Sequence, residues 1–130
     1  MFVEGNEILF IYNSELQEDR KALGYALALQ KHTVKEFDVQ KEKLTPTQLE
    51  MIIDSLKLED TEDLMDHNST IYKEEYAAVK LDREDVVKTL AKRPQLIKTP
   101  LVILKEGTKF LGSGYDLIRD DMVNKKRKDE

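Results

Sequence analysis

Two short, uninterrupted apolar runs, Ile8–Tyr12 and Leu101–Leu104, limit this chain more than any other feature of its sequence. Each is short for a buried helix and lacks the polar alternation of a strand with one wet face. They read as strands covered on both sides, the first spanning Glu7–Tyr12. Such strands need helices packed above and below one sheet.

The remaining signals supply those helices. Ser14, with Gln17 three residues later, reads as a capping box, and Glu15, Glu18 and Asp19 suit a helix N-terminus. Leu16, Leu23, Ala26 and Leu27 repeat at helical spacing through about Lys31 and predict the inward stripe. Gly24 interrupts it, as a close packing contact would require. A weaker strand follows over 33–39, with Phe37 and Val39 on one face and Glu36 and Asp38 on the other. Thr45-Pro46-Thr47-Gln48 opens the next helix with both a capping box and a first-turn proline. Leu49, Ile52, Ile53 and Leu56 continue it as an unbroken stripe.

Residues 58–93 are polar and helical in short pieces, expected at 61–67, 71–79 and 82–92. Val86 and Leu90 face inward in the last, and Pro94 marks its end. After Leu101–Leu104, Glu106-Gly107 turns the chain into a return strand over Thr108–Leu111. Gly112–Gly114 breaks it, and Tyr115, Ile118 and Met122 mark a final amphipathic helix. The order βαβ, helices, ββα is that of an α/β fold.

Composition narrows the chemistry. Cysteine is absent from the 130 residues, which removes disulfides, thiolate nucleophiles and soft metal ligands together. His32 and His67 lie far apart in sequence, and Asp66-His67 beside Glu62 and Asp63 reads as a solvated acidic helix rather than a metal site. A net charge of −5 opposes nonspecific binding to nucleic acid or anionic membrane. Lys125–Lys128 is basic, but Asp129 and Glu130 follow at once, as in a helix end that frays into a charged tail. No run is long enough to span a bilayer and no signal peptide is evident, so the expected location is the cytoplasm.

Three segments resemble one family. Ile11–Ala22 resembles the strand, tyrosine, short loop and Arg/Lys-led helix of the arsenate reductases (ArsC-like) and the related Spx regulators. Thr45-Pro46-Thr47 matches the start of that family's second helix, and Pro94–Leu104 followed by Leu111-Gly112 matches its approach to the second apolar strand. The resemblance implies a thioredoxin-like fold over residues 1–123, with a four-stranded mixed sheet, 58–93 as a helical insertion and 124–130 as tail. It also implies that Pro100 is a cis-proline facing the active loop.

The departures from that family matter as much. Aligned from Tyr12, Gln17 falls where the family carries its thiolate, and glutamine cannot ionise or form a disulfide with glutathione. The family's oxyanion-binding arginines correspond to Thr99, Gly112 and a position near Asp66. Glu15, Glu18 and Asp19 crowd the mouth and repel an anion by about 1 kcal/mol or more per close pair. No catalytic residue is therefore assigned. Ser14, Gln17, Thr99 and Pro100 are the candidate ligand pocket, no cofactor is expected, and glutathione is the one conceivable ligand of that class. Each has a plainer reading: Gln17 as the partner of Ser14 in the cap, Pro100 as a turn the fold needs, Tyr12 and Tyr115 as core aromatics. An interaction or regulatory module ranks first, with a protein partner, no membrane and no direct nucleic-acid binding; a weak thiol-peptide binder or glutathione-linked oxidoreductase ranks behind it.

Overall fold

The computed structural model describes residues 3–112 and 116–117. Four strands form one mixed sheet in the order β2-β1-β3-β4: β1 Glu7–Tyr12, β2 Thr33–Asp38, β3 Leu101–Leu104 and β4 Gly107–Phe110. β1 runs parallel to β2, from Glu7 opposite Thr33 to Tyr12 opposite Asp38. It runs antiparallel to β3, with Phe10 opposite Val102. β3 and β4 make the hairpin expected at Glu106-Gly107. The two apolar runs are thus the two central strands.

Their continuity follows from two separate cores. Ile8, Phe10, Tyr12 and Val102 point to one face, where Ala22, Ala26 and Leu117 cover them. Leu9, Ile11, Leu101 and Ile103 point to the other, against Leu49, Ile52, Ile53, Val86 and Leu90. Alternate side chains of a strand serve opposite faces, so both sets must be apolar.

Helix α2, Pro46–Leu56, begins as its sequence requires. The Gln48 N–H donates to Thr45 Oγ1 at 3.1 Å, and the Thr45 N–H donates to Gln48 Oε1 at 2.9 Å. Helix α3, Arg83–Lys92, is capped in the same reciprocal way by Asp82 and Asp85. Arg83 then reaches Glu50 at 2.9 Å and Asp54 at 2.8 Å, pinning α3 to α2 at the surface. Between them, 61–67 is a shorter 3-10 turn, Thr61–Leu64, and 71–79 is centred on a π-helical turn, Tyr72–Tyr76.

Helix α1, Gln17–Leu27, departs from expectation in three ways. The capping box of Ser14 and Gln17 does not form, because Asn13–Leu16 is a tight turn and Leu16 is the capping residue, with no side-chain cap. The inward face is Asp19, Ala22 and Ala26, whereas Leu16 and Leu27 are exposed and Leu23 is half-buried. The helix phase is set by Asp19, which is drawn inward by polar partners. Gly24 makes no close contact: a Cβ there would meet nothing within 4 Å. Gly24→Ala should therefore stabilise the protein by up to about 1 kcal/mol, read as a rise in the urea midpoint.

Asp38, expected on the wet face of β2, is buried. The chain segment carrying the final amphipathic helix lies outside the described residues, apart from helical Asp116 and Leu117, as does the charged tail. Among the described residues no helix is long and apolar enough to cross a membrane.

Candidate functional site

The parallel strand β1 ends at Tyr12, and the loop that follows it forms one wall of a groove. The Leu16 N–H closes a turn onto the Asn13 carbonyl at 3.0 Å. Asn13 is buried, and its Oδ1 accepts from the Glu15 N–H and from Gln40 Nε2, both at 3.0 Å. The Ser14 N–H donates to Asp38 Oδ1 at 3.2 Å, while Arg20 Nη1 donates to the Ser14 carbonyl at 2.8 Å. The loop is therefore held by its own turn and by polar groups from Arg20, Asp38 and Gln40. Burial pushes the Asp38 carboxyl up, but hydrogen bonds from Ser14 and Gln40, with the Lys41 charge, outweigh it and hold the group below its ordinary value.

The opposite wall comes from residues 63–71 and 95–99. A two-residue bridge pairs Met65 with Ile97: the Asp66 N–H donates to the Leu96 carbonyl at 2.7 Å, and the Lys98 N–H to the Leu64 carbonyl at 2.8 Å. Asp66 Oδ1 then accepts the Asn68 N–H at 3.0 Å, and Ser69 Oγ accepts the Tyr72 N–H at 3.0 Å to start the next turn. The His67 ring stacks on Tyr72, with centroids 4.4 Å apart. The Thr99–Pro100 peptide bond is cis.

Among the described residues a side-chain hydrogen bond joins the walls. The Thr99 hydroxyl donates to Asp19 Oδ2, which also accepts the Asn13 N–H at 2.9 Å. Asp19 is only 2% exposed. It was expected among charges crowding an open mouth, but it is a structural acid inside the junction. Burial raises its carboxyl above the ordinary value; the bonds from Thr99 and Asn13 oppose that rise, and Asp66 adds to it.

The groove between the walls has a volume of about 860 Å³. Gln17 and Thr99 both line it, so two of the candidate pocket residues are brought together. Ser14 and Pro100 are not among its lining residues. Ser14 turns its backbone into the loop's own bonding, and the Pro100 carbonyl accepts the Leu111 N–H at 3.1 Å. Asn13 and the 67–69 segment were not legible as lining, because neither carries apolar periodicity. The carboxylates on the lining are Glu15, Glu18, Asp19, Asp63 and Asp66. Its lysine, Lys98, directs its ammonium over the Phe110 ring, 4.8 Å from the centroid. Among the described residues no cluster of His, Asp or Glu could hold a metal ion.

This fold has counterparts among solved structures. An arsenate reductase from Vibrio cholerae superposes with a TM-score of 0.75 at 16% identity, over 89% of this chain and 98% of that one. The fold is that of the arsenate reductases. A candidate arsenate reductase from Yersinia pestis gives 0.74 at 17% identity, over 86% and 98%. A candidate ArsC-family-related protein from Bacteroides fragilis gives 0.69 at 18%, over 87% and 97%. No protein-family model matches the sequence, and no curated protein does either. The arsenate reductase-like fold is thus present in a chain without a cysteine.

Proposed function

We propose that this protein is a redox-inactive interaction or regulatory module of the cytoplasm, built on the arsenate reductase-like fold. One observation carries the reading. Where a thiol reductase needs an ionisable sulfur at the start of α1, this chain has Gln17, and, two residues on, Asp19 is bonded to Thr99. The Spx-like resemblance supplies a parallel for such a role, a thioredoxin-like fold used to bind another protein.

Thiol chemistry needs a sulfur nucleophile, and none exists anywhere in the sequence. The lining also opposes oxyanions, since carboxylates stand on both sides of the groove. An assay with arsenate, reduced glutathione and a disulfide substrate should show no turnover above the protein-free rate. Clear turnover would sink the non-enzyme reading. A tagged full-length chain should recover a partner specifically, and that partner should be lost when the groove is altered.

A second reading, binding of glutathione or a thiol peptide, is favoured by one feature. Among the described residues the N–H and C=O of Thr99 enter no hydrogen bond, so an extended peptide could pair there. Glutathione is anionic, and the charge of the groove works against it.

A further inference from the structure

One bank of the groove is built differently from its surroundings. None of the fourteen side chains from His67 to Lys80 is buried, although Met65 before them and Val86 after them are 1% and 0% exposed. We propose that residues 67–80 form a strap that opens as one unit, hinged at Asp66 and Asp82, and that its movement removes and restores the His67–Ile71 wall of the groove. This goes beyond the interaction role and does not depend on it.

Little ties the strap to the body. Its backbone bonds are local: the Ser69 N–H donates to the Asp66 carbonyl at 3.2 Å, Lys73 to Ser69 at 3.1 Å and Val79 to Tyr76 at 3.0 Å. Among the described residues, and apart from its bonds to Asp66, two hydrogen bonds reach the rest of the protein. The His67 Nε2–H donates to the Glu62 carbonyl at 2.8 Å, close to the hinge, and Arg93 Nη1 donates to Glu75 Oε2 at 2.9 Å on the surface. Ile71, Tyr72 and Tyr76 pack on the core cluster around Leu49, but each is only half-buried. A segment with few buried contacts and short-range hydrogen bonds opens at less than the cost of global unfolding.

Backbone geometry is a second observation. The Ala77 N–H donates to the Tyr72 carbonyl, five residues back, at 2.9 Å, so the middle of the strap is a π turn. Such turns are rare and recur at functional sites. Both ends, by contrast, are fixed. The Asp66 N–H donates to the Leu96 carbonyl at 2.7 Å, and Asp82 caps α3 and accepts the Val86 N–H on its carbonyl at 3.0 Å. Firm ends around a lightly held middle make a hinged unit rather than a fraying loop.

The test is native-state amide exchange of the full chain at low urea. Ser69, Lys73, Ala77 and Val79 carry hydrogen-bonded amides, so their exchange reports opening. They should share one protection factor, about 100-fold or more below that of Val86, with little dependence on urea. Asp66 should exchange with the core. Glu75→Ala removes an exposed ion pair and should lower the protection of all four by one common factor, about two- to fivefold, leaving Asp66 and Val86 unchanged. Four unrelated factors would mean fraying, and protection equal to that of Val86 would mean no separate opening; either overturns the inference. Ser69 following Asp66 would put the hinge past the groove and overturns the moving wall. The interaction role is judged apart, by recovery of a specific partner: the strap can fail with that role intact, and the role can fail while the strap opens.

Discussion

Phe10→Ala should destabilise the protein by about 3–5 kcal/mol, a large share of the roughly 5–15 kcal/mol that holds a domain of this kind together. Phe10 is 0% exposed at the middle of β1, opposite Val102. Its ring lies 6.0 Å from that of Tyr12 and packs in a cluster with Ile8, Val102 and Leu117, to which α1 contributes only the small side chains of Ala22 and Ala26. Ala22 and Ala26 cannot reach into the space it leaves, so the cavity would stay open rather than collapse. Urea unfolding should show the midpoint fall with the slope unchanged. Tyr25→Ala, on the same side but 46% exposed, is the control and should change stability by about 0.5 kcal/mol or less. A loss below about 1.5 kcal/mol at Phe10 would mean that α1 does move inward, and that its helical phase is softer than Asp19 implies.

Asp19 gives the second large effect, and its two substitutions should behave differently. Asp19→Ala leaves the Asn13 N–H and the Thr99 hydroxyl without their shared acceptor, at a cost of about 1–3 kcal/mol. Asp19→Asn keeps an oxygen for both donors and should cost much less at neutral pH. The pH dependence follows from the direction of the shift. The carboxyl is raised in the folded protein above its ordinary 3.8, mainly by burial, so the folded state holds its proton more tightly than the unfolded one. Below 3.8 both states are protonated and the group adds no pH dependence. As pH climbs from there through the raised value, the folded state loses stability relative to the unfolded one. Denaturation curves of the parent and of Asp19→Asn should therefore diverge across that acidic window, the parent losing ground as pH rises. Parallel curves, or an asparagine variant as unstable as the alanine one, would overturn this account of the junction.

The sequence announced the sheet more clearly than the site, and the reason lies in what each is made of. β1, β3 and α2 are specified by apolar period and by a reciprocal cap, signals that act over neighbouring residues. The inward face of α1 was misjudged because leucines were weighted above an aspartate. Burial of a carboxylate depends on Asn13 and on Thr99, eighty residues away in sequence, and no local pattern carries that information. The cis-proline expected from the family resemblance is present. Gln17 and Thr99 do share the groove, but Ser14 lies in a turn that its hydroxyl does not cap. The acidic lining was half visible: Glu15 and Glu18 were read at the mouth, while Asp63 looked like part of a solvated helix start.

The division of the core by the sheet has a consequence for how this groove can change. The wall at Asn13–Asp19 leads into α1 and so to the cluster around Phe10, whereas Met65 and Ile97 beneath the other wall belong to the cluster around Leu49. The central strands act as a partition between two independently filled compartments. Substitutions in separate compartments, with no shared neighbours, should add in their effect on stability. Either bank of the groove can then be resurfaced without repacking the other, so long as the Asp19–Thr99 tie between them is kept. Such a scaffold can exchange one partner for another by editing a few exposed residues, leaving its foundations untouched.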